Sequence, residues 1–191
     1  MNSTPSSDIR AMRATASALD AQRGKLPVLE DPHHSPDVVD VARQISELGE
    51  LITDLGNEVR FSASQEPEAH TAKVITGFAA TVRPTGQAAS ALGEVARQLS
   101  FLDRTEHLRN QPDADDAREA AVHVINDSLN TADMALREAA DSLRAASATV
   151  SPPSVRLRAA LSRSAAAPSV AAPPPAAQTA AVPAGVVRRS R

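Results

Sequence analysis

A regular seam of apolar residues in the stretch DVVDVARQISELGELITDLGNEVRFSA, residues 37–63, constrains the fold more than any other feature of this sequence. Its apolar positions are separated by three and four residues in strict alternation, which is typical of a helix that packs against another helix. The pattern predicts a helix over about 36–63, with Ser35, Pro36 and Asp37 as its start signals. The predicted seam consists of Val38, Val41, Ile45, Leu48, Ile52, Leu55 and Val59.

The same period recurs in other parts of the chain. A helix is predicted over about 112–150, and its seam includes Val122, Ile125, Leu129, Leu136 and Leu143. Another is predicted over about 67–109, where a phase change coincides with Pro84. Proline removes a backbone donor, so we expect one long helix with a break near Pro84 or, alternatively, two helices. A first helix is predicted over about 7–23, ended by Gly24.

The connections between these helices predict how they pack. The links near 63–66 and 109–111 are short, which forces the last three helices to run antiparallel to their neighbours. The predicted fold class is therefore an all-α, elongated antiparallel three- to four-helix bundle with coiled-coil-like heptad seams over residues 7–150. Helix 36–63 is shorter than its neighbours, so we expect the first helix to lie end to end with it and to cover residues around 96–125.

Small residues recur every seven positions on two of the helices. Ala42, Gly49, Gly56 and Ala63 do so on the second helix, and Ala132, Ala139 and Ala146 on the last one. Small side chains allow helix axes to approach toward the short end of the range of about 8–10 Å. Because Gly costs about 1 kcal/mol relative to Ala in a helix interior, Gly49 and Gly56 in particular predict close helix–helix contacts.

Charge and composition divide the chain into two parts. Residues 1–150 carry a net charge of −9, whereas residues 151–191 contain six Arg and no acidic residue. The second part is rich in Pro and Ala and cannot bury enough apolar area to order itself, so residues 151–191 are predicted to be a disordered basic tail, and residues 1–6 a disordered N-terminus. The candidate anion contacts of the tail are Arg156, Arg158, Arg163, Arg188, Arg189 and Arg191.

No pattern in the sequence predicts catalysis, a cofactor or a metal site. The chain has no Cys, and it contains no Gly-x-Ser-x-Gly, phosphate-binding Gly loop or dinucleotide fingerprint. The adjacent His33 and His34 lie in a Pro-rich linker, and Glu119, His123 and Asp127 are spaced as helix-stabilising pairs on a solvated face. We therefore predict that the protein is not an enzyme.

The remaining hypothesis is an interaction or scaffold protein that acts through helix faces and binds itself or another helical protein. Its candidate partner contacts are Leu51, Phe101, Arg104, His107 and Arg109. The alternative is a nucleic-acid-associated accessory protein that uses its Arg-containing tail. The sequence shows no secretory signal and no apolar run of about 18 residues, which predicts no membrane span and fits a cytoplasmic protein or one exported without a leader.

Overall fold

A computed structural model describes residues 5–27, 36–65 and 69–150, and these residues form an all-α bundle. Its helices are α1 (Pro5–Arg23), α2 (Val38–Ala63), α3 (Ala69–Arg104) and α4 (Pro112–Val150), with a short 3-10 turn (Glu106–Leu108) between α3 and α4. The predicted fold class is confirmed. The predicted N-terminal disorder was wrong for Pro5 and Ser6, which belong to α1, while residues 1–4 and the predicted disordered tail, 151–191, lie outside the described residues.

Local chemistry accounts for the helix starts. Asp37 precedes α2 with extended backbone, and its carboxylate accepts a hydrogen bond of 3.0 Å from the backbone N–H of Val39. Such a cap satisfies one of the donors that the first turn leaves unpaired. α4 begins at Pro112, followed by Asp113 and Asp115 in the first turn, where negative charge complements the positive end of the helix dipole.

The long α3–α4 hairpin is the frame of the bundle, and each of the other helices packs mainly on one of its arms. α2 lies along α3, and α1 lies along α4. The core between them is built from large side chains that are almost completely buried on all four helices: Met12, Leu19, Val41, Leu48, Leu55, Val74, Phe78, Leu92, Val95, Ile125, Leu136 and Leu143. None of the described helices is both long enough and apolar enough to cross a membrane.

The expected position of the first helix was wrong. α1 lies against the C-terminal half of α4, where Arg23 pairs with Asp133 at 2.5 Å and Asp20 pairs with Arg144. It does not cover residues around 96–125. Gly77 of α3 lies at this end of the hairpin, and because it has no side chain, the end of the Met12 side chain of α1 packs beside it. This leaves room for α1 as a fourth helix.

α3 is one continuous α-helix that includes Pro84. Neither the expected break at this residue nor the alternative of two helices occurs. Pro84 and its neighbour Thr85 are buried in the bundle. The hydroxyls of Thr81 and Thr85 donate to the carbonyls of Gly77 and Thr81, one turn earlier. Tertiary packing therefore keeps the helix intact at a residue that lacks an N–H donor.

Candidate functional site

Apart from two residues, the predicted seams are buried or half-buried, and all of these residues except Ile52 belong to the core of the bundle or pack against it. Along α2 the residues Val41, Leu48 and Leu55 are buried, and Ile45, Ile52 and Val59 are half-buried. Along α4 the residues Ile125, Leu129, Leu136 and Leu143 are buried. These ten positions are where a heptad seam should place them.

Val38 and Val122 are the two exceptions, since their exposed fractions are 37% and 39%. Val38 is the first residue of α2 and therefore lies at one end of the helix. On α4 the neighbouring Ala121 is buried in place of Val122. α1 packs on the C-terminal half of α4 and not around Val122, so this part of α4 has one neighbouring helix fewer to cover it.

The five predicted partner contacts do not form one surface. Leu51 is half-buried on α2 and packs against the core, away from the other four residues, which lie at the end of α3 and in the turn that follows it. Phe101 is half-buried in an outer groove of about 290 Å³ between α3 and α4, beside the exposed Arg104. His107 and Arg109 are exposed at the tip of the hairpin, where Arg109 pairs with Glu106 at 3.0 Å.

The ionisable residues of the described segments form ion pairs along the bundle rather than a chemical centre. Arg97 donates two hydrogen bonds to Glu94, and together with a hydrogen bond from Gln98 these lower the pKa of Glu94 to about 2. The pKa of Glu47 is also lowered, mainly by a hydrogen bond from Lys25 and to a smaller extent by one from Gln22. No group of three or more metal-ligating side chains occurs within residues 5–27, 36–65 and 69–150.

Several of the residues that the sequence suggested as metal or anion ligands lie outside the described residues. His33 and His34 are outside the described residues, and so are the six tail arginines, Arg156, Arg158, Arg163, Arg188, Arg189 and Arg191. His123 and Glu119 are both exposed on α4 and approach to 3.8 Å, which is the helix-surface pairing that their spacing predicted.

The small residues of α2 are exposed, so the close helix–helix contacts predicted for them do not occur among the described residues. Ala42, Gly49, Gly56 and Ala63 all face outward, and a Cβ atom added to Gly49 or Gly56 would meet no atom within 4 Å. On α4, by contrast, Ala132 and Ala139 are buried and Ala146 is half-buried.

A second row of small residues on α3 borders the same outer surface, and sequence reasoning missed it. Gly86 and Gly93 also have nothing within 4 Å of an added Cβ, and they continue the seven-residue spacing of Ala79 toward Ser100. Their seven-residue spacing is present in the sequence, beside the larger apolar residues of the α3 seam. The four open glycines therefore lie on two neighbouring helices.

The register of the two helices brings these rows together. Pro36, Asp37 and Val38 line the same cavity as Leu102 and Asp103, which fixes the antiparallel alignment of α2 and α3. Both helices rise by about 1.5 Å per residue. Gly49 and Gly56 then fall level with Gly93 and Gly86, and the half-buried Ile45, Ile52 and Val59 fall level with Ala96, Ala89 and Val82.

We call this surface the α2–α3 face, and it contains no charged residue. None of its members is fully buried. Charged residues make up 23% of the chain, so an uncharged strip of this length on the outside is a distinct feature. Its members are Val38, Ala42, Ile45, Gly49, Ile52, Gly56, Val59 and Ala63 on α2, and Ala79, Val82, Gly86, Ala89, Gly93, Ala96 and Ser100 on α3.

Three hydroxyl groups on and beside the α2–α3 face are already hydrogen-bonded within their own helices. Ser46 donates to the carbonyl of Ala42, Thr53 to that of Gly49, and Ser100 to that of Ala96, at 3.1, 2.9 and 2.8 Å. A buried hydroxyl destabilises a contact when its donor has no partner. These three have one, so the face can be covered without leaving them unsatisfied.

Comparison of the chain with protein families, with curated proteins and with solved structures finds no match in any of the three.

Proposed function

We propose that the protein is a non-enzymatic helical interaction module, and that the α2–α3 face is the surface on which it receives a helix of its partner. The observation that carries this proposal is a set of four glycines, the exposed Gly49, Gly56 and Gly93 and the half-buried Gly86, at each of which an added Cβ would meet no atom of the described residues within 4 Å.

The cost of the four glycines to the stability of the helices supports a function for this surface. Each Gly in an exposed helix interior costs about 1 kcal/mol relative to Ala, so the four cost about 4 kcal/mol together. Typical domains are stable by only about 5–15 kcal/mol. None of the residues that the structure describes occupies the space that the missing side chains leave. A docked helix would use that space, because small residues let a second backbone approach closely.

The shape of the α2–α3 face fits a helix. The middle of the face is a line of half-buried apolar side chains whose inner sides pack against the core. These residues are Ile45, Val59, Val82, Ala89 and Ala96. The small residues flank this line on both helices. The face extends for about 38 Å along α2, since 26 residues rise by about 1.5 Å each. A partner with apolar residues at helical spacing would bury them along this line.

Site-specific photo-crosslinking tests the proposal. A benzoylphenylalanine is placed at Gly93, and in a matched control at Ala145, an exposed small residue of α4 away from the face. Illumination in the cells that make the protein should give a defined adduct from position 93 only, mapping to a helical segment. The adduct should disappear when Gly56→Glu introduces a charge on the face. Equal adducts from both positions, or none from position 93, would overturn the proposal.

A second candidate function rests on the charge asymmetry of the sequence, with −9 over residues 1–150 and +6 over residues 151–191. A flexible Arg-containing segment binds phosphate backbones by releasing counterions, so affinity falls steeply with salt. The full chain should then bind duplex DNA weakly at low salt, and replacement of the six tail arginines by Gln should remove that binding. Unchanged binding by this variant would exclude the tail as the contact.

A further inference from the structure

We infer that the helix received by the α2–α3 face is α2 of a second copy, lying antiparallel on the first, so that the protein forms a two-fold symmetric dimer. This inference rests on the proposed function and specifies its partner. Two-fold dimers are the commonest oligomers, and they require a surface that is complementary to itself. The residues of α2 on this face meet that requirement in one particular register.

The register follows from the alternation of branched and small residues along α2. When Gly49 lies opposite Ile52 of the second copy, the antiparallel direction also places Ile45 opposite Gly56. The same alignment sets Val59 against Ala42 and Val38 against Ala63, and two-fold symmetry repeats every pair. All eight α2 members of the face then form pairs of one β-branched and one small residue, as interdigitating side chains need.

Charge is compatible with this arrangement. The only charged residue in the row that borders the small residues on the outer side of α2 is Arg60, which follows Ser46 and Thr53 in that row. In the inferred register Arg60 lies near Val39 of the second copy, and its symmetry mate is about 28 Å away along the axis. Like charges directly opposite one another would oppose association, and none lie opposite one another between the two α2 helices. The arginines that border the face on α3, Arg83 and Arg97, pair with Glu138 and Glu94.

The size of the face predicts a reversible dimer rather than a permanent one. A strip about 38 Å long and about 15 Å wide covers about 600 Å² on each copy, so about 1,200 Å² in total. This lies at the lower end of specific protein–protein interfaces. We therefore expect monomer and dimer to exchange at about micromolar concentration.

Sedimentation equilibrium of the full chain over about a hundredfold concentration range tests the dimer. Gly49→Glu should keep its helical circular dichroism, because a Cβ added at this position meets no atom of the described residues within 4 Å, and should shift the protein to monomer at every concentration. Ala145→Glu adds the same charge to an exposed site on α4 and should leave the dimer unchanged. A dimer that survives Gly49→Glu would overturn the assignment of the face.

Cysteine crosslinking tests the register, since the chain has no native Cys. A mixture of the Ala42→Cys and Val59→Cys variants should crosslink with a short bismaleimide. Ala42→Cys alone should not, because the two copies of this position lie about 26 Å apart along the axis. Crosslinking of Ala42→Cys alone would overturn the antiparallel register.

The failure of this inference differs from the failure of the proposed function. A chain that stays monomeric at all concentrations overturns the dimer, and a position-93 photo-adduct with a different protein does the same while supporting the docking face. Absence of any specific position-93 adduct overturns the docking face itself. An adduct between two copies of the chain supports both.

Discussion

Glycine has two opposite roles in this bundle, and neighbouring atoms decide which role applies. At Gly77 an added Cβ would lie 2.7 Å from Cβ of Ala146 and 3.1 Å from the terminal methyl of Met12. The first of these contacts is too short, and Ala146 has no rotamer with which to move away. Gly77 is therefore the residue that lets α1, α3 and α4 come together, whereas Gly93 on the same helix has open space before it.

This contrast predicts opposite effects of the same substitution. Gly77→Ala should lower the free energy of unfolding by about 1–3 kcal/mol, because overpacking forces side chains or backbone to shift. Gly93→Ala is the matched control on α3 and should raise it by up to about 1 kcal/mol through helix propensity. Urea unfolding of both variants, in dilute solution where the monomer dominates, measures the difference. Equal effects would mean that Gly77 is not in a close contact.

The Glu94–Arg97 pair predicts a specific acid sensitivity. The pKa of Glu94 falls from 4.5 to about 2 because Arg97 and Gln98 donate hydrogen bonds to its carboxylate. A lowered folded-state pKa stabilises the fold above the unfolded value, and that contribution is lost as the pH falls from 4.5 toward 2. Glu94→Gln should therefore be less stable than the parent at neutral pH, and the difference should shrink over this window.

Urea unfolding at a series of pH values between about 7 and 2 measures this dependence. Glu50→Gln removes an exposed glutamate of α2 that is separate from the pair, and it controls for the loss of one negative charge. A stability difference between parent and Glu94→Gln that does not change with pH would contradict the prediction.

The seams of α2 and α4 act as whole faces of their helices, and substitutions along them should follow burial rather than sequence position. Leu48 and Leu136 are completely buried, one on each helix. Leu48→Asp or Leu136→Asp should unfold the bundle, since each places an unpaired charge in the core. Loss of helical circular dichroism and of a cooperative melting transition measures the effect.

Val122→Asp is the control for these two substitutions. It belongs to the same heptad pattern as Leu136, yet 39% of the residue is exposed. Surface substitutions usually change stability by no more than about 0.5 kcal/mol, so this variant should melt almost like the parent chain. Unfolding of Val122→Asp together with retention of structure in Leu136→Asp would contradict the arrangement described for α4.

The bundle as a whole should become more stable as its concentration rises if it forms the inferred dimer. Association that only the folded chain can undergo stabilises it by mass action. The melting temperature should rise across about a hundredfold increase in concentration, by several degrees for each kcal/mol gained. Gly49→Glu should melt at a temperature that does not depend on concentration, and the same behaviour in the parent chain would contradict the dimer.

The candidate surface was only partly predictable. The spacing of Ala42, Gly49, Gly56 and Ala63 indicated helix contact, but not whether the contacting helix belongs to the same chain. That distinction depends on which helices cover the small row, which lies one residue, or about 100° around the helix, from the buried Val41, Leu48 and Leu55. The α3 row with Gly86 and Gly93 gained its meaning only from the register that sets it beside α2.

Helix existence, helix order and the antiparallel hairpin follow from the sequence alone, because heptad spacing, caps and short links are local signals. The position of α1, the continuity of α3 through Pro84 and the exposure of Val122 required the folded structure. Each depends on non-local packing: Gly77 opens space for Met12, burial holds the helix together around Pro84, and α1 packs on the other half of α4 and leaves Val122 exposed. Sequence periodicity shows which residues share a helix face, and tertiary packing determines what covers that face.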